Sequence, residues 1–348
     1  MNNIFKIGLL VSYHSLDYNK YNLITNLLKI NGVELKVIFT DPPKNKNNFF
    51  HKIFSKGFNK LLFAFIVKYE LFIFSKKSKN NILYNICKFN IDQINIKSEY
   101  SKSGLYLDYK NTNKLKDFDL LLRINSTGIY RGEILNCTKF GILSLHHGDN
   151  RWNRGGPAGF WEVYRKIPST GFIIQILNNK LDGGDIVYRG EFMTNELYTR
   201  NIKSILNRSY YFFEQEIKKI IISKKINFVE NTFPFNNSIL KTPSLFQSIK
   251  YFIYLNNLII RKINRYFLKR PQWFVSFIHE NFNKASLAKA IKITNPKNRW
   301  FADPFILKNK NRKVIYVEDY NELESKASIS CIEILNNSYK FLGKVIEE

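Results

Sequence analysis

Phe140-Gly141-Ile142-Leu143-Ser144-Leu145-His146-His147-Gly148-Asp149 is the stretch on which the fold turns. Up to His146 it reads as a short apolar strand. Side chains alternate along a strand, so Ser144 and His146 share one face while Leu143 and Leu145 share the other. A glycine-rich loop follows, Arg151-Trp152-Asn153-Arg154-Gly155-Gly156-Pro157-Ala158-Gly159, whose glycines let backbone approach a ligand closely. Further on, Leu181-Asp182-Gly183-Gly184-Asp185 sets two carboxylates in a turn between strand patterns at 170–177 and 185–189. In open α/β sheets, ligands bind at the carboxyl ends of strands. A histidine leaving such a strand is well placed to move a proton.

Outward from this stretch, Lys6-Ile7-Gly8-Leu9-Leu10-Val11-Ser12 and Leu35-Lys36-Val37-Ile38-Phe39-Thr40 read as strands. Between them Asp17 is placed to cap a helix with Tyr21, Ile24, Leu27 and Leu28 on one face. Strand, helix, strand predicts a parallel sheet. The first turn has no GxGxxG, which argues against a dinucleotide cradle. A strand is expected at 119–124, short helices at 132–137 and 159–165, and a long helix at 199–224. A Phe- and Lys-rich helical stretch covers 49–77, and a basic, aromatic, amphipathic helix 248–269. From Asn298 the pattern becomes all-β, with alternating runs at 314–318 and 327–334.

The order Ser144-Leu145-His146, Arg154-Gly155-Gly156-Pro157, Thr170-Gly171-Phe172, Leu181-Asp182-Gly183-Gly184-Asp185 resembles formyltransferases of the glycinamide ribonucleotide and methionyl-tRNA type. These share a strand ending Asn-x-His, an Arg-Gly-x-x-Pro loop and a Leu-Asp-x-Gly-Asp turn. The resemblance implies a Rossmann-like, mostly parallel α/β sheet over 1–230, and formyl transfer from 10-formyltetrahydrofolate to an amine. It implies His146 and Asp182 as catalytic, with Asp182 orienting His146 or a water. The Asn of the family, the oxyanion donor, falls at Ser144, and no Ser-Leu-Leu-Pro follows the histidine. One such donor is worth about 2.7–4 kcal/mol of barrier. The co-substrate would lie against Gly128, Ile129 and Tyr130 and against Leu181 and Gly183. Arg154, Gly155, Pro157 and His147 fall on the acceptor side.

Arg299-Trp300-Phe301-Ala302-Asp303-Pro304-Phe305 and Val314-Ile315-Tyr316-Val317-Glu318-Asp319 resemble the first blade of a five-bladed, glycosidase-like β-propeller. The expected organisation is a formyltransferase-like domain over 1–230, a linker with a basic amphipathic helix over 231–297, and an incomplete propeller-like all-β segment over 298–348. One blade cannot close a propeller, so a truncated chain is expected and no catalysis from Asp303. The sugar association of such propellers makes an amino sugar in surface glycan biosynthesis the preferred acceptor. Nothing past residue 235 resembles a tRNA-binding barrel.

The formal charge of +26 suits a phosphorylated or nucleotide-linked small-molecule amine, an anionic membrane surface or nucleic acid. It also fits plain Lys-rich coding bias. No motif supports specific nucleic-acid binding. Peripheral membrane-surface contact is compatible with the Lys-rich, aromatic helical stretches. The longest apolar run, 61–74, is interrupted by Lys68 and Glu70 and is too short to span a bilayer. Cys87, Cys137 and Cys331 are scattered, and no cleavable leader pattern opens the chain, so a reduced, cytoplasmic setting is expected. Two other readings stay open at this point. One is a catalytically inactive formyltransferase-fold binding module, motivated by Ser144. The other is a metal-dependent glycan hydrolase using His146, His147, Asp149 and Asp182, although their spacing matches no metal motif.

Overall fold

The run Ile7-Gly8-Leu9-Leu10-Val11 carries no charge and is buried on both sides, as an interior parallel strand requires. It belongs to a seven-stranded sheet built from β1 (Phe5–Val11), β2 (Val33–Thr40), β3 (Gln93–Ile96), β4 (Leu120–Asn125), β5 (Ile142–His146), β6 (Ser169–Ile176) and β7 (Asp185–Met193). The spatial order is β7-β6-β5-β4-β1-β2-β3. Neighbours from β3 through β5 run parallel, while β6 is antiparallel to both β5 and β7. The mostly parallel α/β sheet expected from the sequence is thus present. The computed structural model describes residues 4–40, 57–75, 82–101, 104–107, 109–126, 128–151, 153–229, 239–268, 272–281, 285–309 and 312–347.

Alternation along the strands sorts the core into two layers. Phe5, Ile7, Leu9 and Val11 join Leu122, Leu143 and Ile174 on one face, under α1 (Tyr18–Leu28) and its neighbours. Asp17 caps α1, accepting from the Lys20 amide at 3.1 Å. Leu10, Ile38, Leu121 and Ile142 occupy the other face with Tyr130, Ile134 and Leu135. Removing one such buried Leu or Ile costs about 2–5 kcal/mol. Because Ile142 faces this second layer, Ser144 and His146, two and four residues on, point to the same side.

The remaining helices are α2 (Gly57–Phe74), α3 (Tyr109–Leu115), α4 (Phe160–Arg165), α5 (Tyr198–Ser223) and α6 (Leu245–Leu268). In α5, Phe213, Ile217, Ile220 and Ile221 form the buried stripe that lies on the first layer. The expected helical stretch 49–77 is observed as α2; residues 49–56 and 76–77 lie outside the described part.

The chain divides into two units, Met1–Ile253 and Tyr254–Glu348. The first therefore runs past the expected boundary at 230. The physical reason is contact: Ile239–Leu240 pairs in parallel with Arg154–Gly155, and Tyr251 donates to buried Glu70 at 2.7 Å. The second unit holds a four-stranded antiparallel sheet, β8 (Arg299–Asn309), β9 (Arg312–Asn321), β10 (Lys326–Ile334) and β11 (Tyr339–Glu347), in sequential order. Val275, Phe277, Ile293, Phe301, Ile315, Val317 and Ile332 form its small core. Asp319 is buried there, accepting from Arg299 Nε at 2.8 Å and Ser330 Oγ at 2.6 Å. The sheet is an antiparallel meander of sequential neighbours. Among the described residues no second such sheet is present.

Candidate active site

The order of strands reverses between β1 and β4, and His146 ends β5, the next strand over. A ligand crevice is expected at this edge. His146 Nδ1 stands 3.4 Å from Asp182 Oδ1. The carboxylate comes from the turn joining β6 to β7, and Asp182 adopts a left-handed conformation, φ 50°. Aspartate tolerates this region better than most residues. Gln175, opposite Ser144 in the sheet, fixes the turn by accepting from the Gly184 amide at 2.9 Å. His146 Nε2 is buried and has no hydrogen-bond partner among the described residues.

Burial holds the His146 pKa below the usual histidine value; Asp182 opposes this, and Arg123 reinforces it. The ring is thus neutral at pH 7. With Nδ1 facing a carboxylate, Nδ1 carries the proton and Nε2 offers its lone pair. That is the arrangement of a general base oriented by an acid. Gly148 leaves the room that Nε2 needs: a Cβ there would stand 3.0 Å from it.

Ser144 is buried in β5, on the His146 face, between Arg123 of β4 and Gln175 of β6. His147 does not join the pair. Alternation turns it toward the α1 and α5 side, where its ring lies 6.5 Å from that of Tyr210. Burial, with His146 and Lys20 adding to it, pushes its pKa down to about 3. His147 is therefore a neutral, half-buried imidazole on the side of the sheet away from the His146–Asp182 pair.

The turn after β4 is tied to the site by Arg123, which donates to the Gly128 carbonyl at 3.0 Å. Ile129 is exposed there, whereas Tyr130 is only 2% exposed and packs in the second core layer. Of the three residues expected to meet the co-substrate here, Tyr130 is thus a core residue. Leu181 and Gly183 lie in the Asp182 turn, where Asn178 donates to the Gly183 carbonyl at 3.0 Å. Arg154 and Gly155 form the short pairing with Ile239 and Leu240. Gly155 has φ 92°, and a Cβ would meet the Leu240 carbonyl at 2.4 Å, so only glycine fits. Its role here is to admit that strand. Pro157 follows a cis peptide bond and begins the turn into α4.

Sequence reasoning missed the network behind the pair. Asp149 is 2% exposed and binds Arg151 through Nε at 2.8 Å, and it also pairs with Arg189 of β7. Arg189 Nη1 donates to Asn150 Oδ1 at 3.0 Å, and Asn150 Nδ2 donates to the Asp182 carbonyl at 3.2 Å. A chain of bonds thus links the loop after His146, strand β7 and the Asp182 turn. The bonds that cross between these elements join residues 32 to 40 apart, so no local pattern shows them. Among the described residues, no three His, Cys, Asp or Glu side chains come together as a metal site would require.

No protein-family model matches the chain, and no curated protein matches it in sequence. Among solved structures it is similar to glycinamide ribonucleotide transformylase 1 from Symbiobacterium toebii, at 12% identity over 66% of this chain and 93% of that one, TM-score 0.43. It is similar to an N-formyltransferase from Helicobacter canadensis in complex with folinic acid and dTDP-3-aminofucose, at 12% identity over 98% and 100% of the two chains, TM-score 0.43. A sugar N-formyltransferase from a Shewanella species gives 13% identity over 72% and 87%, TM-score 0.40. At such scores these are similarities only, and the site stands on its own geometry.

Proposed function

We propose that this chain is an N-formyltransferase that moves the formyl group of 10-formyltetrahydrofolate to an amine, with an amino sugar as the acceptor class. The observation that carries the reading is the His146–Asp182 pair, 3.4 Å apart, with Nε2 of a neutral histidine left without a partner at the strand edge. The neutral amine attacks the formyl carbon, and a neutral imidazole held by a carboxylate can take the proton that the nitrogen sheds as the new C–N bond forms. The same proton can then pass to the departing folate nitrogen. Ser144, on the His146 face, is the side chain available in place of the usual oxyanion donor.

The co-substrate fits the two turns that flank the pair. Both are tied to it, one through Asp182 itself and the other through Arg123 and the Gly128 carbonyl. Their backbone groups and the exposed Ile129 offer the mixed polar and apolar contact that a flat heterocycle needs. Near the pair, Arg151 and Arg189 both bind Asp149, and Arg123 donates to the Gly128 carbonyl. The formal charge of +26 suits a phosphorylated or nucleotide-linked acceptor.

The test is the purified chain with 10-formyltetrahydrofolate and a panel of free, phosphorylated and nucleotide-linked amino sugars, read by mass spectrometry. Formylation of at least one acceptor, with the nucleotide-linked forms preferred, is expected. Ser144 favours one second reading, a binding module without catalysis. A folate analogue that binds while no acceptor gains a formyl group would support that reading instead. Absence of both binding and transfer would remove the proposal.

A further inference from the structure

Helices α2 and α6 each show solvent a stripe of large apolar side chains. On α2, Phe58, Phe65 and Phe72 recur every seven residues and lie opposite the buried Phe63, Ile66 and Glu70. Phe72 is 83% exposed. On α6, Phe246, Ile249 and Ile253 lie opposite the buried Tyr251, and Phe246 is 76% exposed. The helices touch edge to edge, with the rings of Tyr69 and Phe252 5.0 Å apart. Helical periodicity therefore puts both stripes on the outer side, one to each side of this joint. Isolated apolar side chains on a surface need no explanation, but two adjoining stripes do.

The charges among them have one sign. Lys68 and Lys250 are exposed beside the stripes, and Lys60 is exposed farther round α2. Glu70 is the only acidic residue in either helix. It is 0% exposed, and Thr199 N and Oγ1, at 2.7 and 2.6 Å, and Tyr251 Oη, at 2.7 Å, all donate to it. The outer surface of the helix pair thus carries no carboxylate of its own. Aromatic and aliphatic stripes flanked only by lysine are the pattern of helices lying in the headgroup layer of an anionic bilayer. A second copy of this chain would bring lysine against lysine, on a molecule whose formal charge is +26. No helix of the described residues is long and apolar enough to cross a membrane, so the contact would be interfacial.

We propose that α2 and α6 dock this chain on an anionic lipid surface. This goes beyond the formyl-transfer reading and does not depend on it. The test is co-sedimentation of the full chain with vesicles of phosphatidylglycerol and phosphatidylcholine, against vesicles of phosphatidylcholine alone. Binding to the anionic vesicles, weakened by salt, is expected. Lys60→Gln/Lys68→Gln/Lys250→Gln should lose about fivefold per charge, the equivalent of about 1 kcal/mol each. Phe65→Asp/Phe246→Asp should lose binding at unchanged thermal midpoint, since both positions are exposed. The lysine variant keeps the test alive if the aspartates disturb folding. The proposal is overturned if the wild type stays in the supernatant with anionic vesicles. It is also overturned if the aspartate variant only converts a dimer to a monomer while lipid binding persists, or if an oligonucleotide is bound and the vesicles are not.

Discussion

His146 and His147 are neighbours in sequence with opposite fates, because a strand sends them to opposite sides. Both are held neutral by burial, and each gives its own prediction. For His146, transfer activity should fall as pH drops below the range in which the ring is neutral, since protonated Nε2 cannot accept from the amine; a kcat/KM profile over acid pH checks this. For His147, the folded pKa of about 3 lies below the unfolded value of about 6.5. Between these values the unfolded chain binds the extra proton, so stability is present above pH 6.5 and is lost as pH falls toward 3. The loss approaches about 1.4 kcal/mol per pH unit. His147→Gln should flatten the acid fall of the thermal midpoint; an unchanged slope would mean that another group sets it. Gly148→Ala should press a methyl on His146 Nε2 and cut transfer at least about tenfold with little change in stability. At this scale the placing of His146 at a strand end and of Asp182 in a turn was legible, because an apolar run and a glycine-rich turn mark them. Tyr130 was not, since nothing local distinguishes an aromatic under a turn from one beside a ligand.

The network joining Asp149, Arg189, Asn150 and Asp182 belongs to the scale of elements, since it ties a loop, a strand and a turn together. It explains why the Asp182 carboxylate can be held at the strand edge by a glycine-rich turn. Asp149→Ala would leave the half-buried Arg189 guanidinium without its carboxylate, a change that costs about 3 kcal/mol, the low end for a buried pair. Urea unfolding should show that loss, and transfer should drop with it as Asn150 loses its anchor. A cost below about 1 kcal/mol would mean that the network is not structural. The sheet itself was legible strand by strand, because parallel interior strands are continuous apolar runs. The pairing of Ile239–Leu240 with Arg154–Gly155 was not. Two-residue pairings leave no periodicity, and the stretch 231–243 that contains Ile239 and Leu240 reads as a polar linker with Pro234 and Pro243.

The molecule as a whole has two units with separate cores, and the smaller one rests on a cluster of seven buried residues. Calorimetry should therefore show two transitions, the lesser one from the C-terminal unit; a single two-state transition would contradict independent cores. The all-β character of that unit was legible from alternation. The end of the first unit was not, because it lies inside a helix whose amphipathic pattern continues unbroken. What unites the scales is one pair of side chains placed by a sheet, a turn and the bonds behind them. The most direct measurement is formyl transfer from isotope-labelled 10-formyltetrahydrofolate by the wild type, His146→Ala and Asp182→Asn, with thermal midpoints recorded alongside. A labelled amine is expected from the wild type, and a loss of at least about a hundredfold in both variants at near-native stability. Transfer that survives both substitutions would contradict it.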